Sequence, residues 1–185
     1  MPVDTERLDR ALNPRTIVVV GDKGPNYMWL NRLDEFTGDA YSVQLDENEI
    51  KGIEKLGFTN YKSLLEVPGE VDLVICAVPR EISPFIIADA VKKGVGGMSM
   101  FTSGFAETGE EKGIELQRNI VKMALDDGLP IIGPNCMGVY NRRLGVKFWQ
   151  GQDQGELGKF GGLDLKGPEG EPALCPRDDS SGDGD

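Results

Sequence analysis

Short apolar runs alternate along this chain with stretches in which large apolar residues fall three and four positions apart. The runs read as strands and the stretches as helices, and their regular alternation predicts parallel strands joined by crossover helices. A short helix over residues 4–12 precedes a first strand at 16–20, TIVVV. A loop at 21–26 leads into residues 27–36, where Trp29, Leu30, Leu33 and Phe36 take helical spacing. A second strand follows at 40–45. Residues 47–65, with Ile50, Ile53 and Leu56, predict short helical turns in place of one long helix. The third strand, 71–78, is apolar almost throughout, as a strand covered on both faces must be, and Pro79 ends it. Helices at 82–93 and 110–127 then alternate with strands at 97–102 and 129–132. The expectation is an α/β fold over residues 1–150: Rossmann-like, doubly wound, with a mainly parallel five-strand sheet and helices on both faces.

Composition changes the picture only at the C-terminal end. Residues 151–185 hold nine acids against Lys159, Lys166 and Arg177, with many Gly and Pro and few large apolar side chains. Such a segment buries too little surface to offset its ordering entropy, so a disordered or loosely packed tail is expected, in the place of a truncated second domain. The longest apolar stretches, TIVVVG and VDLVICAVP, are too short to span a bilayer, and residues 1–10 are charged rather than signal-like. A cytoplasmic protein without a membrane partner is expected. Cys76, Cys136 and Cys175 make an odd total with no metal-ligand spacing, which points to a reducing compartment and assigns no metal. The 185 residues contain no histidine, which removes imidazole chemistry from the chain on its own. A formal net charge of -11 argues against a nucleic-acid partner, so an anionic ligand would be held by backbone amides and a few placed cations.

In an open parallel sheet, ligands bind where the strands end. The segments after the five strands are GDKGPN, QLDEN, VPRE, TSGFAETG and GPNCMG. The first, with Gly21, Asp22, Lys23, Gly24 and Asn26, offers close backbone approach and one cation, which suits a phosphate or diphosphate. It equally suits a tight strand-to-helix turn with Asn26 as N-cap. It is not GxGxxG, so the dinucleotide fingerprint is missing. Ser103, Gly104 and Phe105 stand in the fourth segment, where Ser103 could instead cap the turn. In the last segment Pro134 stiffens the backbone, Asn135 fixes it, and Cys136 is left at the mouth. Cys76, inside an apolar strand, reads as a buried and inert thiol.

In their order and spacing, VVVGDKGPN, VDLVICAVPREI, TSGFAETGEEKG and IIGPNCMGVYN resemble the CoA-binding domain of ADP-forming acyl-CoA synthetases, relatives of the succinyl-CoA synthetase alpha subunit. The resemblance covers about residues 12–148. It implies CoA or acyl-CoA as cofactor, with the diphosphate on the first loop at Gly21, Lys23, Gly24 and Asn26 and with Asp22 among the contacts. It further implies adenosine beside Val43 and Gln44, pantetheine passing Val78, Pro79, Ser103 and Gly104 with Phe105 alongside, and the thiol near Asn135 and Cys136. The family reaction turns acyl-CoA, ADP and phosphate into acid, CoA and ATP. It passes through a phosphohistidine and an ATP-grasp domain or subunit, so this chain alone would bind without turnover and carries no catalytic residue. The sequence departs from the pattern in its tail, in its lack of histidine, and after the second strand. There the family's NPK-like run, whose lysine meets the ribose phosphate, is replaced by QLD, with Asp46 in the lysine's place. An acid there would repel the 3′-phosphate, so CoA would be held weakly or in another pose. It would suit an NAD(P)-binding domain, the alternative reading beside a fragment that binds nothing.

Overall fold

The computed structural model describes residues 4–147, and within them six strands and four α-helices follow one another. Their order is α1 Thr5–Leu12, β1 Thr16–Val20, β2 Asp39–Val43, α2 Glu47–Lys55, β3 Thr59–Tyr61, β4 Leu73–Cys76, α3 Ser83–Lys93, β5 Gly97–Met100, α4 Glu111–Asp127 and β6 Ile131–Ile132. The strands form one sheet in the order β3-β2-β1-β4-β5-β6. Every pairing in it is parallel. The chain winds outward from β1 in one direction and from β4 in the other. The strand order therefore reverses between β1 and β4, where doubly wound sheets open a crevice at their carboxyl edge.

Period-two alternation in the central strand builds the two core layers. Val18 and Val20 face one side, where they pack with Val74, Cys76, Met98, Met100 and the inward residues of α3 and α4, among them Ile87, Ala90 and Ile120. Ile17 and Val19 face the other side, with Ala11, Leu30, Leu33 and Ile53. The helices stop where backbone chemistry dictates: α3 and α4 end on Gly94 and Gly128 at φ 69° and 72°, a left-handed region that glycine enters at no steric cost.

Two features differ from the sequence reading. The sheet has six strands instead of five, because Thr59–Tyr61 pairs with β2 from Tyr41 to Val43. It is three residues long, too short for alternation to register, although Phe58, Thr59 and Tyr61 are β-favouring residues. Residues 27–36 form no α-helix: a 3-10 segment, Leu30–Leu33, stands among turns, with Tyr27 at φ 38°. The apolar spacing there is real, since Trp29, Leu30 and Leu33 are buried. However, a three-residue repeat satisfies a 3-10 turn as well as an α-helix. The expected tail, 151–185, lies outside the described residues.

Candidate functional site

Neighbouring strand ends are laced together by hydrogen bonds across the carboxyl edge. Beyond β1, the Gly21 amide donates to the Val43 carbonyl at 3.1 Å. Gln44 Nε2 donates to the Asp22 carbonyl at 3.0 Å. The Gln44 amide in turn donates to the Tyr61 carbonyl at 3.2 Å, which brings in the end of β3. On the other side, Thr102 Oγ1 donates to the Val78 carbonyl at 2.7 Å, and the Asn135 amide donates to the Thr102 carbonyl at 2.9 Å. Segments after β1, β2, β3, β4, β5 and β6 thus form one continuous edge. Asn135 holds φ 54°, a conformation that asparagine tolerates better than other side chains, which explains why this residue type stands in the last loop.

A groove of about 490 Å³ opens on this edge beside the point where the strand order reverses. Gly21, Lys23, Val43, Gln44, Val78 and Pro79, all named by the sequence reading, line it. Lys62, Ser63, Ile82, Phe85 and Asp89 line it too and were not foreseen. Lys62 and Ser63 arrive with the unexpected strand β3, and Phe85 and Asp89 sit on α3, whose exposed face carries no motif. Phe85 is 69% exposed although it is aromatic, so one wall of the groove offers an unpartnered ring. A larger hollow of about 680 Å³ lies at the amino ends of the strands. Two of its cations have partners: Arg10 Nε donates to Asp72 Oδ1 at 3.0 Å and Arg143 Nη2 to Asn13 Oδ1 at 3.1 Å. The carboxyl-edge groove has, among the described residues, two lysines without a side-chain partner and the open apolar wall that a ligand needs.

Other sequence-named residues hold the edge from behind. Asp22 is buried, and its carboxylate accepts from the amides of Lys23, Trp29 and Leu30 at 3.0, 2.9 and 2.8 Å. It therefore caps the turn in the role expected of Asn26, whose carbonyl accepts instead from Asn31 Nδ2. Phe105 is fully buried in the core beside α4. The turn before it is closed by Glu107, whose carboxylate accepts from the Gly104 and Phe105 amides at 2.6 and 3.0 Å; Ser103 is exposed and does not cap it. Arg80, within VPRE, donates to the Gly104 carbonyl and so ties the β4 loop to the β5 loop. Ser103, Gly104, Asn135 and Cys136 do not line the groove; they lie farther along the same edge, past Val78.

The two described cysteines differ in access. Cys136 is half-buried, with its amide donating to the Met100 carbonyl at 3.1 Å. Cys76 is fully buried, and burial pushes its thiol up to about 11 from an ordinary 9.0. A raised value favours the neutral thiol in the folded state. Its contribution to stability is complete below pH 9.0 and is lost as pH rises through about 11. Brief alkylation of the native protein at pH 8, followed by peptide mapping, is expected to modify Cys136 and spare Cys76 until denaturant is added. Equal labelling of both in the native protein would contradict this packing.

Asp46 is a helix cap. Its Oδ1 accepts from the Asn48 amide at 2.9 Å and caps α2, so it serves the helix at a position where a ribose-binding acid was considered. The first loop opens into turns and not into a regular helix, so a diphosphate there would meet loop amides and Lys23 instead of a helix N-terminus. The Asp46 cap weighs against the dinucleotide reading. Among the described residues no helix is long and apolar enough to cross a membrane.

Comparison with known proteins agrees with the geometry. Residues 15–142 match the family model described as CoA binding domain. The alpha subunit of acetate–CoA ligase [ADP-forming] II of Pyrococcus furiosus is 40% identical over 139 residues, a match covering 72% of this chain and 29% of that protein. A crystal structure from Pyrococcus horikoshii OT3 superposes with a TM-score of 0.67 at 32% identity, over 77% of this chain and 32% of that one. The apo form of the dinucleotide-forming acetyl-coenzyme A synthetase 1 of Ca. Korarchaeum cryptofilum gives 0.64 at 32% identity, over 76% and 31%. The chain thus spans under a third of the length of each of these relatives.

Proposed function

The chain belongs to the CoA-binding domain family and is related to ADP-forming acyl-CoA synthetases, and from that premise we propose that its carboxyl-edge groove holds CoA or acyl-CoA without turning it over. The observation that carries this reading is the convergence of Gly21, Lys23, Val43, Gln44, Val78 and Pro79 on one groove. The diphosphate lies on the first loop, where Gly21 permits backbone approach and Lys23 is exposed. Adenosine lies over Val43 and Gln44 toward the Phe85 ring. Pantetheine leaves past Val78 and Pro79 and follows the laced loops by Ser103 and Gly104, and the thiol reaches Asn135 and Cys136. Asp22 and Phe105 support this path from beneath, Asp22 by bracing the loop amides and Phe105 by filling the core below the β5 loop.

Turnover belongs to other segments of the synthetase. With no histidine in the 185 residues, the phosphohistidine that the family resemblance implies would come from another segment, and an ATP-grasp domain or subunit is the partner that the same resemblance implies. Calorimetric titration with CoA tests the reading, with NADH as the competing ligand. Heat of binding with CoA and none with NADH is expected, together with a rise in melting temperature on adding CoA. Absence of both signals with CoA would remove the proposal, and a response to NADH alone would restore the dinucleotide reading.

A further inference from the structure

Two lysines, Lys23 and Lys62, line the groove from different strands, Lys23 from the loop after β1 and Lys62 from the residue that follows β3. Both are exposed, and neither forms an ion pair or a side-chain hydrogen bond among the described residues. In a chain with a net charge of -11, two such cations on one groove are conspicuous. The same groove also has an apolar lining that includes Val43, Leu45, Ile86 and the Phe85 ring. The Lys62 backbone is held in place: its amide donates to Glu66 Oε2 at 3.2 Å, and the preceding residue, Tyr61, pairs with Val43 in the sheet. The carboxylates near the two lysines include Glu66, bonded to that amide; Glu49, which accepts from the Gly24 amide beside Lys23 at 2.8 Å; Asp46, capping α2; and Asp89, in the groove lining. The arrangement fits a nucleotide whose ribose carries more than one anionic group and whose base rests on the apolar lining.

From this placement we infer that Lys62 recognises a phosphate on the ribose of the bound nucleotide, whereas Lys23 serves the diphosphate. The inference rests on the CoA reading above and deepens it, by assigning to β3 the discrimination between CoA and dephospho-CoA. It also accounts for the acid after β2: the cation that meets the 3′-phosphate comes from the neighbouring strand, and Asp46 is left to cap a helix. Because the contact lies at an open groove it is screened by salt, so the preference shrinks as ionic strength rises.

Titration of the full chain with CoA and with dephospho-CoA at low salt tests it, using wild type, Lys62→Gln, Lys62→Glu and Lys23→Gln. Wild type is expected to prefer CoA by about tenfold, the size of one moderately exposed charge-assisted contact. Lys62→Gln should erase that ratio while leaving dephospho-CoA affinity unchanged, and Lys62→Glu should invert it. Lys23→Gln should weaken both ligands equally. A ratio that survives Lys62→Gln, or equal loss for both ligands in that variant, would overturn the assignment while leaving CoA binding intact. Wild type binding neither ligand would instead remove the CoA reading, and this inference with it. Lys62 is exposed and outside the core, so the circular dichroism of each variant should match wild type.

Discussion

Asp22→Ala is expected to lower folding stability by about 3–5 kcal/mol, the cost of stripping a buried charged acceptor from its partners. The Trp29 and Leu30 amides would be left facing a cavity that water does not reach freely, because both residues are buried. Arg32, itself buried and stacked 4.1 Å over the Trp29 ring, would lose its neighbouring negative charge. Asp22→Asn keeps the shape and one acceptor oxygen, so a loss of about 1–2 kcal/mol is expected, close to that of a single unsatisfied group. Urea denaturation of the three proteins at pH 7 measures both differences. Losses of equal size in the two variants would mean that the carboxylate's charge, and not its acceptor geometry, holds the loop.

The same carboxylate has a pH signature. Burial pushes the Asp22 carboxyl above its ordinary value, against the pull of the Leu30, Trp29 and Lys23 amides and of Arg32. A folded-state value raised above the unfolded one means that the contribution is complete below the unfolded value and is lost as pH rises through the folded value. Stability measured against Asp22→Asn should therefore shift in favour of wild type as pH is lowered from 7 toward the carboxylate range.

Asp22 also shows where the sequence stops being legible. A polar residue inside GDKGPN reads naturally as a ligand contact, and only the position of the Trp29 and Leu30 amides, seven and eight residues on, turns its carboxylate inward. Phe105 went the same way: its neighbours Ser103 and Gly104 remain on the rim, whereas its ring fills the core. By contrast, the gathering of the strand-end loops on one edge was readable, because strict alternation of apolar runs and helices forces parallel strands and puts all their carboxyl ends together. Lys62 escaped because its position depends on a three-residue strand, too short to show a pattern of its own, that is set by pairing with β2 across α2. Short strands are specified by the partner they pair with more than by their own pattern.

Gly21→Val is expected to lower CoA affinity by about a hundredfold or more, and its consequences run to both walls of the groove. Gly21 sits at φ +85°, where a β-branched residue is strained by about 1–2 kcal/mol. A Cβ there would stand 2.5 Å from Val78 Cγ1 and 3.3 Å from the Ala77 carbonyl carbon, so the β4 loop must retreat. Overpacking of this kind adds about 1–3 kcal/mol. The retreat cannot stay local. Val78 is tied to Thr102 and through it to Asn135, and the Gly21 amide is tied to Val43. Displacement on one side therefore moves Val78 and Pro79, and on the other Val43 and Gln44, all of which line the groove. If about 3 kcal/mol of distortion must be undone before a ligand fits, CoA affinity falls by about a hundredfold or more. Gly21→Ala carries the same φ penalty with a smaller side chain and should rank between the variant and wild type. Calorimetry with CoA gives the affinity, and hydrogen exchange at the Gly21 and Thr102 amides reports whether the edge has shifted. Wild-type affinity in Gly21→Val would mean that the ligand does not lie against this edge, whatever the stability of the variant.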